Sequence, residues 1–259
     1  MRIASASHAV IAGTLIALGI HSLFTGDFGA IWQPVPKDVP ARETLIYLCA
    51  IVSVASGAGL LWPRFTALAA RVLLAYLLLW VMFFRVPVIF RTPAVEVVWE
   101  GSGETAVLLA GAWVLYAGSS SDWDRKNLAF ATGNTGLRIA RTVYGLALIP
   151  LGLAHLVYMK QTAALVPDWL PGHPAWAAFT GCTYIAAAVA VLSGVSARVA
   201  AALAALQMGI FTLLVWLPIL ATNPKDPFQW SESVLSWSLT IAAWVVADSY
   251  RIRAGLAAR

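Results

Sequence analysis

The chain has 259 residues, of which 60% are apolar and only 11% charged, with a net charge of +5; its mean hydropathy is +0.79. Soluble domains carry about 25% charged residues, so a water-soluble globule of this composition would have no polar surface to present. The basic residues are scattered and not gathered into a groove, which excludes a nucleic-acid interface.

In chain order, apolar segments run over Ile3–Gly26, Thr44–Pro63, Phe65–Phe90, Ser102–Ser119, Thr142–Met159, Trp169–Ala197, Val199–Pro224 and Glu232–Ala247. A spanning helix needs about 20 predominantly apolar residues. The third, fourth and eighth segments are shorter or carry a charge near an end; the other five are uncharged. The expected fold is all-α, a polytopic membrane bundle of eight transmembrane helices.

These helices fall into two sets of four. His21, Pro40 and Arg64 recur as His155, Pro174 and Arg198, each 134 residues on (155 − 21). Pro87, Pro93, Trp99 and Trp113 recur as Pro218, Pro224, Trp230 and Trp244, each 131 on (218 − 87). One three-residue deletion between Arg198 and Pro218 reconciles the two offsets. The organisation read from this is a first four-helix repeat over 1–119, a cytoplasmic linker over 120–137, a second repeat over 138–250 and a basic tail over 251–259. Four helices per repeat is an even number, so both repeats enter the membrane in the same sense, related by an axis along the membrane normal. Met1–Gly26 reads as a retained helix and not a cleaved leader, because Arg138–Lys160 is its internal counterpart.

Charge sets the expected orientation. With both termini cytoplasmic, 11 Lys and Arg lie inside, among them Arg2, Arg64, Arg71, Arg138, Arg141, Arg198, Arg253 and Arg259, against 6 outside; this is the direction of the positive-inside rule. The outer loops then hold most of the prolines and several tryptophans, a stiff aromatic roof over a vestibule widened by kinks at Pro87 and Pro218. Aromatic belts at the headgroup boundary give the same pattern.

The residues able to carry chemistry gather at that outer side. His21 and His155 lie late in the first helix of each repeat, where an ionisable group normally faces the protein interior. A facing pair of imidazoles can ligate haem iron or a metal, hydrogen-bond a quinone carbonyl, or shuttle a proton; a loop carbonyl satisfies either just as well. Glu100 and Glu104 are spaced i, i+4 and share a helix face, and Glu232 follows Trp230 as Glu100 follows Trp99. Acids here either complement a helix N-terminus or relay protons with the histidines. At the 131 offset Glu100 meets Ser231, Glu104 meets Leu235 and Glu232 meets Gly101, so only the tryptophan is strictly duplicated. Trp99, Trp230 and Arg85 are candidate contacts for a bound lipophile; Arg85 and Arg91 can pair with Glu96 or Glu100 or bind an anionic substrate or headgroup, but ordinary snorkelling to the interface is the favoured account of both. Cys49 and Cys182 read as small apolar residues or as a redox pair across the pseudo-two-fold. No nucleotide-binding, hydrolase or HExxH signature is present.

A four-helix unit with a tight inner hairpin between its second and third helices, a histidine late in the first and Trp plus acid before the fourth resembles the DoxX-type membrane proteins. The resemblance covers roughly residues 2–119 and 138–250, with the unit in tandem. It is similar also to the small DoxD-type subunit linked to thiosulfate oxidation and quinone reduction, and distantly to eukaryotic surfeit-locus cargo receptors. The resemblance implies a bacterial plasma membrane location and a tie to quinone redox chemistry; it carries over no site residue. Three readings stand: a redox-linked subunit binding quinone in an outer vestibule, with His21 and His155 on its oxygens and Glu100, Glu104 or Glu232 relaying protons; a lipid or small-molecule transporter or binding protein; and a membrane scaffold that docks a periplasmic-side enzyme.

Overall fold

The computed structural model describes residues 6–33 and 35–257, with the side chains of 252–257 excepted. Arg2, Arg259 and the side chain of Arg253, counted above for orientation, lie outside the described residues. The protein is all-helical, 83% helix without strands among the described residues. Its elements are α1 (Ala6–Thr25), α2 (Arg42–Leu61), α3 (Thr66–Trp80), α4 (Val86–Arg91), α5 (Glu96–Ser119), α6 (Asp122–Asn127), α7 (Gly133–Val157), α8 (Met159–Ala163), α9 (His173–Ser193), α10 (Ala197–Phe211), α11 (Leu217–Thr222) and α12 (Pro227–Ala257).

Two π-helical turns, Val81–Arg85 and Thr212–Trp216, join α3 to α4 and α10 to α11. Each is followed by a proline in the first turn of the next helix, Pro87 and Pro218. Proline has no N–H to donate and crowds the preceding turn, and a π turn is a usual way to absorb the mismatch without breaking the rod. Thr66–Arg91 and Ala197–Thr222 thereby stay continuous.

Among the described residues six helices are long and apolar enough to cross a membrane: Ala6–Thr25, Arg42–Leu61, Thr66–Arg91, Gly133–Val157, His173–Ser193 and Ala197–Thr222. Their outward faces carry large exposed apolar side chains such as Ile51, Leu79, Phe179, Leu203 and Ile210, a surface that water does not tolerate at this density. The protein is membrane-embedded. Helices α5 and α12 are as long but carry acids in their N-terminal parts, Glu96, Glu100 and Glu104 in α5 and Glu232 in α12. They form the centre of the bundle: Thr105 and Val107–Ala117 of α5 are buried without interruption, and Ile241, Ala242, Ala243 and Val246 of α12 are 0–1% exposed. A helix enclosed by protein need not be apolar enough to face lipid.

The two halves interlock. α1 packs on α12 and α7 on α5, so the first helix of each half rests on the fourth helix of the other, and one core runs through both. Trp237 donates its indole N–H to Thr14 (3.1 Å) and Ser7 its hydroxyl to Asp248 (2.6 Å) across α12 and α1. Close approach is made by small residues, as is usual in membrane bundles. A Cβ on Gly19 would sit 2.6 Å from the Ala50 carbonyl oxygen, and one on Gly152 2.7 Å from that of Gly181.

That packing corrects the register read from the sequence. The starts of α2 and α9 (42 and 173), of α3 and α10 (66 and 197) and of the two π turns (81 and 212) are all 131 apart. The offset therefore changes earlier than Arg198. Arg64 lies in the turn before α3, whereas Arg198 is the second residue of α10. Gly19 and Gly152, which face corresponding partners, are 133 apart (152 − 19), and at that spacing the counterpart of His155 is Ser22, not His21.

Residues 120–137, expected to be a linker, are an ordered part of the bundle. Ser121 caps α6 in a capping box with Asp124, and α7 starts at Gly133 rather than at 138. Asp124 is 0% exposed. It pairs with Arg71 Nε at 2.8 Å and accepts hydrogen bonds from Tyr116 (2.9 Å) and the Ser121 hydroxyl (2.6 Å). Burial pushes its pKa up, but the bonds from Ser121 and Tyr116 and the Arg71 charge outweigh it and hold the carboxyl below the ordinary range.

Candidate functional site

The end of the bundle where α1 finishes and α5 and α12 begin carries the acids. Arg85, last residue of the first π turn, is 9% exposed. Its Nε donates to Thr105 Oγ1 (2.8 Å) and one terminal nitrogen to the Gln33 carbonyl (2.6 Å). Snorkelling does not describe it: the π turn aims the side chain across at α5, and Gly101 leaves room, with Arg85 3.4 Å from where a Cβ would be. Glu104 feels the charges of Glu100, Glu232 and Arg85, and Glu100 those of Glu96 and Glu232. Among the described residues none of these glutamates makes an ion pair within 4.0 Å. Both carboxylate oxygens of Glu96 are shielded from solvent without a hydrogen bond. The structure thus brings Glu100, Glu104 and Glu232 together with Arg85, from three elements, into one partly buried cluster with more acids than cations.

The other sequence candidates are placed differently. Trp99 donates its indole N–H to the Pro93 carbonyl (2.9 Å), and Trp230 to that of Pro224 (2.8 Å). The surrounding backbone bonds repeat as well: Thr92 N to Val88 O and Val95 N to Thr92 O match Asn223 N to Ile219 O and Asp226 N to Asn223 O. These tryptophans clasp their loops, and their polar atom is already used. His21 lies on the exposed face of α1. His155 is half-buried, its Nδ1 bonded to the Leu151 carbonyl oxygen (2.8 Å) and its ring packed against Tyr184 and Phe211 (5.6 Å each). The two histidines are in unlike settings, because α1 and α7 are out of step by one residue at these positions. Cys49 is buried and meets the Tyr76 hydroxyl at 3.5 Å, while Cys182 is exposed. No group of three or more His, Cys, Asp or Glu able to hold a metal occurs among the described residues.

A cavity lies elsewhere than under the expected roof between the kinks. α9, α10 and residues 165–170 enclose an apolar groove of about 730 Å³. It runs from Ser196 at one end of α10 to Val215 beyond the other, with Trp169 and Trp176 at the loop end. Besides Ser196 at its end, its polar spots are Thr180, Thr183 and Gln207. Thr183 donates to Gln207 Oε1 (2.6 Å) and Gln207 Nε2 to the Thr180 carbonyl (3.2 Å). Sequence reasoning passed over these residues; the available signal was Gln207, a large amide in the middle of an uncharged run.

No protein family, curated protein or solved structure matches the chain.

Proposed function

We propose that this chain is a DoxX-like inner-membrane protein that binds a long lipophilic molecule, foremost a quinone, in the groove of its second half. In this reading it crosses the membrane eight times as two parallel four-helix repeats, with both termini cytoplasmic and the acidic end outside. The common 131 spacing of helix starts, π turns and tryptophan clasps supports the repeat. The excess of Lys and Arg at the opposite end supports the orientation.

The groove carries the proposal. From Ser196 to Val215 the rod rises about 28 Å at 1.5 Å per residue, close to the roughly 30 Å of a hydrocarbon core. An apolar channel of that length suits an isoprenoid or acyl tail, and the Thr180–Thr183–Gln207 amide and hydroxyl set offers the few polar contacts such sites use for orientation. A bound quinone supplies two-electron chemistry. The chain's own part is to hold the tail along α10 and to relay protons through Glu100, Glu104 or Glu232 at the outer end, with electrons delivered by a periplasmic-side partner. A second reading, lipid binding or transport without redox chemistry, is favoured by His155, whose ring is used in packing.

The test is mass spectrometry with an absorbance trace on an organic extract of detergent-purified protein, comparing wild type with Ala186→Phe/Ala190→Phe, which fills the groove. A quinone enriched in the wild type and lost from the variant supports the redox reading. Another lipophile with that behaviour moves the assignment to transport. The same bulk-lipid profile in both overturns the groove as a site.

A further inference from the structure

The opposite end of the second half contains a pocket that the lipophile reading does not use. The first turns of α7, the α9–α10 connection and the end of α12 surround about 510 Å³, lined by Asn134, Arg138, Arg141, Ser196, Arg198 and Tyr250 among others, and by no Asp or Glu. Arg138 and Arg141 are spaced i, i+3 and share a face of α7. Arg141 is pinned: Nε donates to Ser249 Oγ (3.0 Å), a terminal nitrogen to the Ser249 carbonyl (2.7 Å), and the guanidinium sits 4.0 Å from the Tyr250 ring centroid. The ion pairs among the described residues involve Arg42, Arg71, Arg125 and Arg251; Arg138 and Arg198 belong to none of them.

Backbone adds to the side chains. α10 is 15 residues long and begins at the pocket wall, its preceding residue Ser196 left-handed at φ 51° and supplying no side-chain cap. Among the described residues its N-cap side chain gives the first amides no hydroxyl partner, which leaves the positive end of the dipole open as at an anion-binding helix start. The first half shows the contrast. There Arg71 is matched by Asp124 at 2.8 Å.

We propose that this pocket binds a phosphate group. A tetrahedral oxyanion with several acceptors fits forked guanidinium donors and orphan amides, and the planar fork gives bidentate contacts. The pocket lies where the candidate spans Gly133–Val157, His173–Ser193 and Ala197–Thr222 meet at one end, the level of lipid headgroups, and basic pockets between spans on the cytoplasmic side take anionic headgroups. A soluble phosphorylated molecule presents the same chemistry.

The experiment uses the full chain in detergent, as wild type and as R138Q/R198Q. Both residues are exposed, so the variant keeps the core, checked by circular dichroism and gel filtration; either single substitution serves if the double one misfolds. Native mass spectrometry reads retention of phosphatidylglycerol or cardiolipin against phosphatidylcholine, and calorimetry reads inorganic pyrophosphate. Roughly a twenty-five-fold weakening is expected in the double variant, about fivefold per arginine near an anionic surface, with R138K/R198K recovering most of it. Selective retention of the anionic lipids, lost in the variant, assigns the headgroup; pyrophosphate binding lost in the variant assigns a soluble ligand. Equal behaviour of wild type and variant toward all probes overturns the site.

Discussion

Trp32 and His155 occupy comparable places in the two halves, and they arrive there by different routes. Trp32 comes from the loop after α1. It is 1% exposed, donates to Ser53 (3.1 Å) and packs edge-on against Trp80 at 5.3 Å. His155 comes from α7 and packs edge-on against Phe211 at 5.6 Å; Phe211 is 131 residues beyond Trp80. In the first half the loop folds inward and fills the interior with Phe28, Trp32, Tyr76, Trp80 and Phe84. In the second half a helix side chain does so, and residues 165–170 remain outside as a wall of the groove. The same backbone scheme is thus closed in one half and open in the other, and what decides it is which segment supplies the interior ring.

The largest break in that comparison should come from Trp32→Ala. It leaves a void among packed rings and takes away the hydrogen bond Ser53 accepts, though Ser53 still donates to the Cys49 carbonyl (2.8 Å); the cost should be roughly 3–5 kcal/mol, as for large aromatic truncations, read by thermal unfolding in detergent. His155→Ala should cost less, within the ordinary 0.5–3 kcal/mol or so, and His155→Phe should recover most of it if packing is the ring's task.

Asp124→Asn comes next. Removing a buried partner of Arg71 strips charge-assisted bonds worth about 1.5–3 kcal/mol each, somewhat less here because Arg71 is itself 32% exposed. The pH dependence has a fixed sign. The folded Asp124 pKa is lowered, so its stabilisation is present above the unfolded value near 3.9 and disappears as pH falls through the folded value. Acid unfolding below about pH 4 should flatten in Asp124→Asn; an unchanged acid limb would show that the linker is not locked by this pair. Arg198→Gln, at an exposed residue outside the ion pairs found among the described residues, should stay within about 0.5 kcal/mol.

The smallest effects sharpen the symmetry. Trp99→Phe and Trp230→Phe each remove one exposed N–H···O clasp and should cost about 0.5–1 kcal/mol, equally in both halves. Unequal costs would mean that the duplicated tryptophans have diverged in role.

Much of this was readable beforehand. All eight apolar segments became long helices, because uncharged length is a local property. The grouping of Glu100, Glu104 and Glu232 was readable too, since all three lie within the first nine residues of α5 and α12, at one end. The burial of Arg85 was not, because it depends on a π turn that redirects the side chain. The place of His155 was not, because a one-residue difference in register between α1 and α7 exchanges its counterpart from His21 to Ser22, and only contacts across helices reveal that. The order in residues 120–137 was hidden for a related reason: a polar, Ser- and Asp-rich string looks like a linker until Arg71 and Tyr116, distant in sequence, satisfy Asp124.

By itself, then, the sequence determined the class of the protein, the number and rough bounds of its long helices and which end carries acids and which carries arginines. These follow from composition and from the length an apolar helix needs in a bilayer. The tertiary structure alone decided that α5 and α12 form the centre, that each half rests its first helix on the other's fourth, and that one half is filled while the other keeps a groove and an arginine pocket. Those outcomes depend on which side chains meet across helices, and small shifts of register and loop path change that without altering the pattern along the chain.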